Sequence, residues 1–103
     1  MSIESNRLLL LWEKTLRDIN RDVINPEFVE LKIDDLKPVI EIVAKARAGF
    51  LKELFDIAGE SAETLPSEER IRQLKQHRER YEELSAASRA LEVAIERGYL
   101  DVS

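Results

Sequence analysis

The only histidine of the chain, His77, lies in the charged stretch LKQHRERYEEL at residues 74–84. An imidazole can act as a general base, a metal ligand or a phosphate carrier near neutral pH. A helical metal site needs a second ligand three or four residues away. No such ligand is present, since those positions hold Gln73, Leu74, Arg80 and Tyr81. The pattern predicts a histidine that packs in a helix seam. A pH-sensitive contact and a chemical role are the alternatives.

Arg47 is the second residue with a chemically suggestive position, because it lies in the middle of an apolar helical arc. Its neighbours on that arc are Ile40, Val43, Leu51 and Leu54. A charge in such a place must be paired or must reach solvent along its aliphatic stem. We expect a structural ion pair or an extended side chain. The alternative is an arginine presented to an acidic ligand or to a partner helix.

The other residue types that could perform chemistry are not spaced as a catalytic or metal site requires. The paired carboxylates are Asp34–Asp35, Glu68–Glu69 and Glu82–Glu83. Adjacent residues of a helix point about 100° apart, so these pairs make poor bidentate sites. The sequence has no cysteine, no glycine-rich phosphate loop, no Gly-x-Ser-x-Gly and no His-Glu-x-x-His. We predict no catalytic residues, no metal and no cofactor, and therefore a protein that is not an enzyme.

Composition narrows the class of protein further. The 103 residues are 44% hydrophobic and 36% charged, with a net charge of −5. Those values are typical of one soluble helical domain, which we assign to residues 1–103. The longest apolar run, Leu8–Trp12, is far shorter than the roughly 20 residues of a membrane span. A negative net charge argues against nucleic-acid binding, and we expect a cytoplasmic protein.

Helix signals divide the chain into three segments. Helices are predicted at about residues 3–24, 35–58 and 68–97, with a short helical turn possible at 26–31. Asn25-Pro26 ends the first, an aspartate at 34 or 35 begins the second, and Ser67 caps the third. Gly59 and Gly98 are the expected stops of the second and third helices. The N-terminal half of the third helix, poor in apolar residues, is expected to extend toward solvent or a partner.

The third helix carries a regular stripe, which is formed by His77, Tyr81, Leu84, Ser88, Leu91 and Ile95. The 4-3-4-3-4 spacing is that of a coiled-coil seam. The first helix carries a comparable stripe, formed by Leu9, Trp12, Leu16, Ile19 and Val23. The predicted fold is all-α, an antiparallel three-helix bundle with a long C-terminal helix. We expect it to be dimeric through coiled-coil-like packing.

The segment LLLLW at residues 8–12 does not fit a bundle with one buried face, because four successive leucines span about 300° of a helix. The apolar helix surface therefore exceeds what one copy can cover, and we predict a homodimer or a partner protein helix. The candidate interface residues are Leu8, Leu10, Leu11, Trp12, Arg47, Leu74, His77 and Tyr81. The predicted function is a protein–protein interaction module, such as an adaptor, chaperone-like binder or assembly subunit. The alternatives are a ligand-binding or enzymatic bundle near Arg47 and His77, and a nucleic-acid-associated regulator using the arginines of the third helix.

Overall fold

The computed structural model describes residues 2–60 and 63–103. Three α-helices account for most of them: α1 (Ile3–Ile24), α2 (Ile33–Glu60) and α3 (Glu68–Glu96). A 3-10 turn, Asn25–Glu27, follows α1. Within the described ranges there is no strand, only an isolated parallel bridge between Leu31 and Val102. The all-α prediction is therefore confirmed.

The helix starts follow from local hydrogen bonding. Ser67 Oγ accepts the backbone N–H of Arg70 at 3.2 Å, which confirms the predicted cap of α3. Helix α2 begins slightly earlier than the predicted residue 35. The Asp35 carboxylate accepts the backbone N–H of Lys32 at 2.9 Å. This contact is the reciprocal half of a capping box, so Lys32 takes the cap position and Ile33 the first helical one.

Helix α3 ends at Gly98, as predicted, in a Schellman motif. Gly98 has a φ of 71°, a left-handed conformation that suits a residue without Cβ. The backbone N–H of Tyr99 donates to Ala94 at 2.9 Å, and that of Gly98 donates to Ile95 at 3.1 Å. These two bonds satisfy carbonyl groups that the helix end would otherwise leave open. They also direct the C-terminal tail back toward α1.

Two other boundary predictions were wrong. Gly59 does not end α2, which continues through it to Glu60, and its φ is not positive. The short turn expected at 26–31 is confined to Asn25–Glu27, because Phe28 is already extended. The segment between α2 and α3 falls partly outside the described residues.

The chain forms two compact units, of which the first comprises the residues up to Asp35 and those from Ala90. In this unit the C-terminal tail packs on α1, and Tyr99 and Leu100 are buried. Arg21 Nη2 lies 2.5 Å from Asp101 Oδ1, and Arg21 Nη1 donates to the Gly98 carbonyl at 3.0 Å. This pairing with Arg21 is the main cause that lowers the pKa of Asp101.

The second unit, Leu36–Arg89, is an antiparallel hairpin of α2 and α3. Arg47 contacts Tyr81 while Glu53 contacts Arg70, so partners run in opposite directions along the two helices. Ile57 is the buried apolar residue of this unit. The other seam residues of α2 are half-buried at 3-4 spacing: Leu36, Val39, Val43, Ala46, Phe50 and Glu53. Of the stripe predicted on the third helix, His77, Tyr81, Leu84 and Ser88 lie in this unit and are half-buried. Leu91 and Ile95 belong to the first unit and are also half-buried.

Candidate functional site

The apolar stripe of α1 is open to solvent, whereas its 3-4 spacing suggested a core. Of the five stripe residues, Leu16 alone is half-buried. No residue of α1 is fully buried. Ile24, which lies off the stripe, is half-buried instead. Intramolecular packing therefore uses a sector of the helix that overlaps the stripe at Leu16 and continues to Asn20 and Ile24.

The side of α1 that packs within the unit carries both polar and apolar residues. Arg21 binds the tail directly, and the half-buried Asn20 donates to the carbonyl of Leu16 at 2.9 Å. A shallow depression at this contact is lined by Trp12, Glu13, Leu16, Arg17, Arg97 and Tyr99. The Tyr99 hydroxyl beside it raises the pKa of the Arg97 guanidinium. The tail thus occupies the side of α1 next to the apolar stripe.

We call the exposed apolar sector of α1 its free face, formed by Leu8, Leu9, Trp12, Ile19 and Val23. These side chains are between 49% and 68% exposed. At 100° per residue they share a sector about 100° wide. The nearest charged positions are all acidic: Glu4, Glu13 and Asp22. The four basic residues of α1 lie about 130° or more from the middle of this sector, and Arg17 is the nearest of them. The free face is therefore apolar with an acidic border.

The predicted interface residues of α1 do not all belong to this face. Leu8, Leu10, Leu11 and Trp12 are exposed. Leu10 lies on the basic side with Lys14 and Arg17, and Leu11 lies just beyond the acidic border. The remaining candidates, Leu74, His77 and Tyr81, are half-buried in the hairpin. Whether any of them contacts a partner stays a prediction.

Arg47 is exposed and is paired with a phenol, where the sequence led us to expect an ion pair or a side chain that extends to solvent. Its Nε and Nη2 donate to the Tyr81 hydroxyl at 3.2 and 3.1 Å. The guanidinium carbon lies 5.3 Å from the centre of the Tyr81 ring, within range of a cation–π contact. The hydrogen bond from Arg47 is the main cause that lowers the pKa of Tyr81. Phe50 stacks on the same ring, with centroids 6.0 Å apart.

A polar cluster that sequence reasoning missed lies at the other end of the hairpin. Arg70 Nη1 is 2.8 Å from Glu53 Oε1, an ion-pair contact whose angle is not that of a hydrogen bond. Arg70 also binds both carboxylate oxygens of Glu60, at 2.9 and 3.1 Å, and Gln73 at 2.5 Å. The N-terminal half of α3 is therefore packed on α2. The expectation that it extends toward solvent was wrong.

His77 belongs to that cluster and not to a site with Arg47. Its Nε2 lies 3.8 Å from Glu53 Oε2, and its ring packs beside Gly49. A Cβ at position 49 would meet His77 Nδ1 at 3.5 Å, an ordinary contact. The shallow depression beside His77 also includes Lys45 and Arg80, but not Arg47. The two residues thus have separate surroundings.

The hairpin has one apolar outer side, which we call the hairpin face: Ile40, Leu51, Leu54 and Ile71. These residues are between 46% and 56% exposed. On the wheel they flank the seam on the side where Arg47 meets Tyr81. The α3 positions of this side are mostly basic: Lys75, Arg78 and Arg89 against Glu82. The hairpin face is therefore apolar with a basic border.

The described ranges contain neither a metal-binding group nor a membrane-spanning helix. No group of three or more histidine, aspartate or glutamate side chains there could hold a metal ion. Among the described helices, none has the length and apolar character that crossing a bilayer requires. Comparison of the chain with protein-family models, with curated proteins and with solved structures found no match.

Proposed function

We propose that this protein is a non-enzymatic protein–protein interaction module that binds another helix through the free face of α1. The observation that carries the proposal is the exposure of that face. Leu8, Leu9, Trp12, Ile19 and Val23 lie together on one side of a helix that is otherwise anchored to its own chain. Contiguous apolar surface of this kind marks interaction sites in soluble proteins. Adaptor, chaperone-like binder and assembly subunit are the roles that fit it.

Coiled-coil-like packing in a homodimer is part of the same proposal. The supporting feature is the 3-4 spacing of Leu9, Trp12, Leu16, Ile19 and Val23, since an apolar repeat of this period suits pairing with a second helix. A cytoplasmic location agrees with the absence of cysteine but is not required by it.

The test compares Leu9→Glu with Leu10→Glu. The two leucines are neighbours in sequence, but only Leu9 lies on the free face. Sedimentation velocity from about 1 to 200 µM, where weak helix contacts are expected to saturate, measures self-association. Emission of Trp12, the single tryptophan, reports burial of the face. Photo-crosslinkers placed at the same two positions in cells of the source organism capture any other protein partner.

We expect Leu9→Glu to weaken association and position 9 to give the specific crosslinks, while Leu10→Glu behaves as the unmodified chain. A concentration-independent Trp12 spectrum, together with equal crosslinking from positions 9 and 10, would contradict the proposal. Far-UV circular dichroism must show the same helix content in both variants, so that loss of binding is not loss of fold.

The two alternative functions gain no supporting observation. A ligand-binding bundle would use Arg47 and His77 around one pocket, but these side chains contact Tyr81 and Glu53 respectively. A nucleic-acid regulator would need a patch of arginines on α3 without acidic neighbours. Three of the five arginines of α3, Arg70, Arg72 and Arg78, each lie within 4 Å of a glutamate.

A further inference from the structure

We infer that the depression between α1 and the C-terminal tail is a binding site for a small organic carboxylate, an acid group joined to an aromatic or aliphatic body. Its volume is about 390 Å³, and it is lined by Trp12, Glu13, Leu16, Arg17, Arg97 and Tyr99. That volume falls within the usual range of ligand pockets, about 300–1,000 Å³. All six residues belong to the first compact unit. The inference goes beyond the proposed function, because it needs neither a dimer nor a partner helix.

The two least exposed lining residues are held in place by the fold. Tyr99 is 7% exposed, and Leu16 is half-buried. The left-handed turn at Gly98 directs Tyr99 onto α1, and Arg21 fixes the tail there through its contact with Asp101 at 2.5 Å. The depression is therefore formed before a ligand binds, which reduces the cost of ordering the site on binding.

Two guanidinium groups on the depression have donors to offer an anion. Among the described residues, no carboxylate lies within ion-pair distance of Arg17 or Arg97. The Tyr99 hydroxyl beside Arg97 accounts for only part of the five N–H groups of that side chain. Arg21, one turn after Arg17, differs because both of its terminal nitrogens bind the tail. The fork of N–H groups on a guanidinium matches the two oxygens of a carboxylate.

The charges and the apolar residues of the lining narrow the class of ligand. The lining carries two positive charges, on Arg17 and Arg97, and one negative charge, on Glu13. One negative charge on the ligand completes the balance, whereas a phosphate group carries nearly two and is repelled more strongly by Glu13. Trp12 and Leu16 supply apolar surface for the body of the ligand. An organic monocarboxylate meets all of these requirements.

The experiment is a titration of the full chain with 2-naphthoate, followed through the indole N–H signal of Trp12 in NMR spectra. Trp12 is the single tryptophan, so its signal is unambiguous. Protein concentration stays constant, because self-association would also affect this signal. The comparison ligands are 2-naphthamide, which has the same shape without the charge, acetate, which has no ring, and inorganic phosphate.

We expect 2-naphthoate to bind saturably, with a dissociation constant of about 1 mM or less for a ligand of this size. It should bind about tenfold more tightly than 2-naphthamide, because the neutral amide loses the charge-assisted hydrogen bonds. Acetate and phosphate should bind more weakly than 2-naphthoate, since neither has an apolar body to contact Trp12 and Leu16.

Single variants test which side chains bind the carboxylate. Arg17→Gln and Arg97→Gln should each weaken 2-naphthoate binding about fivefold. Arg7→Gln is the matched control, because it removes the same charge from α1 outside the depression, and it should change the dissociation constant by less than about twofold. Glu13→Gln should tighten binding about twofold, since it removes the carboxylate that repels the ligand. Circular dichroism verifies that the variants keep their helix content.

Three results would overturn the inference. Equal affinities for 2-naphthoate and 2-naphthamide would mean that the ring alone binds to apolar surface. Equal effects of Arg17→Gln and Arg7→Gln would mean that the depression does not hold the carboxylate. Phosphate or acetate that binds as tightly as 2-naphthoate would mean that the site takes any small anion. The proposed function stands or falls separately, by the association that Leu9→Glu tests.

Discussion

Replacing Arg70 with methionine should destabilise the hairpin far more than the same replacement two residues later. Arg70 is 27% exposed at its side chain, and the Glu53 carboxylate that it faces is 14% exposed. The substitution leaves a largely desolvated carboxylate with His77, 3.8 Å away, as its remaining neighbour. Removing one partner of a fully buried pair costs about 3–5 kcal/mol. Partial exposure reduces that figure, so we expect about 2 kcal/mol.

The matched control is Arg72→Met. Arg72 also pairs with a glutamate, Glu69, but both side chains are 62% exposed. Exposed pairs of this kind contribute about 0.5 kcal/mol or less. Both substitutions change arginine to methionine on the same helix, so helix propensity and lost charge cancel in the comparison. The difference between the two variants therefore reports the surroundings of Arg70.

Thermal unfolding followed at 222 nm gives the measurement. A loss of about 2 kcal/mol lowers the midpoint of a domain of this size by roughly 10 °C, against about 2 °C for the control. Protein concentration must be equal in all samples, because self-association would raise the apparent stability. Adding Glu53→Leu to Arg70→Met should recover much of the loss, since an apolar pair of similar volume replaces the ion pair.

Equal destabilisation by Arg70→Met and Arg72→Met would refute the reasoning. It would mean that Glu53 is solvated when Arg70 is removed and that the contact at 2.8 Å contributes no more than a surface pair. Failure of Glu53→Leu to recover stability would separately show that His77 or the helix packing depends on the carboxylate.

Three further predictions concern single groups. Arg47→Met should raise the pKa of Tyr81, because the hydrogen bond from Arg47 lowers it, and absorbance at 295 nm should then titrate at higher pH than in the unmodified chain. The pKa of Asp101 is lowered from its ordinary value of 3.8, so the ionised carboxylate stabilises the fold above that pH. This stabilisation is lost as the pH falls through the lowered pKa of the folded state. Asp101→Asn should therefore flatten the acid limb of a curve of stability against pH. Gly98→Ala should cost about 1–2 kcal/mol because φ is 71° there, whereas Gly59→Ala, which meets nothing within 4 Å inside a helix, should stabilise by up to about 1 kcal/mol in the same thermal assay.

The helices were predictable because their signals are local. Ser67, Pro26 and Gly98 each act on backbone groups within about four residues, so the sequence alone specifies the result. Gly59 shows the limit of such signals. Glycine permits a left-handed stop but does not require one. Here α2 continues one residue further, to Glu60, whose carboxylate binds Arg70 of the next helix.

The side of α1 against which the C-terminal tail packs could not be predicted from the spacing of its apolar residues. A 3-4 stripe shows that a helix has an apolar side, but it does not show what lies against that side. In this chain the turn at Gly98 directs Tyr99 and Leu100 onto α1, and Arg21 pairs with Asp101. These are long-range contacts between residues nearly eighty positions apart. They cover Leu16 and the sector of α1 next to it, so the other four residues of the apolar stripe stay open.

Glu53 and Arg70 were missed for a related reason. Both occupy seam positions of a 3-4 repeat, Glu53 between Phe50 and Ile57, and Arg70 four residues before Leu74. A charged residue at a seam position is a signal for a buried pair, and it was available in the sequence. The pairing itself needed the antiparallel alignment of α2 and α3, which sequence spacing alone does not give.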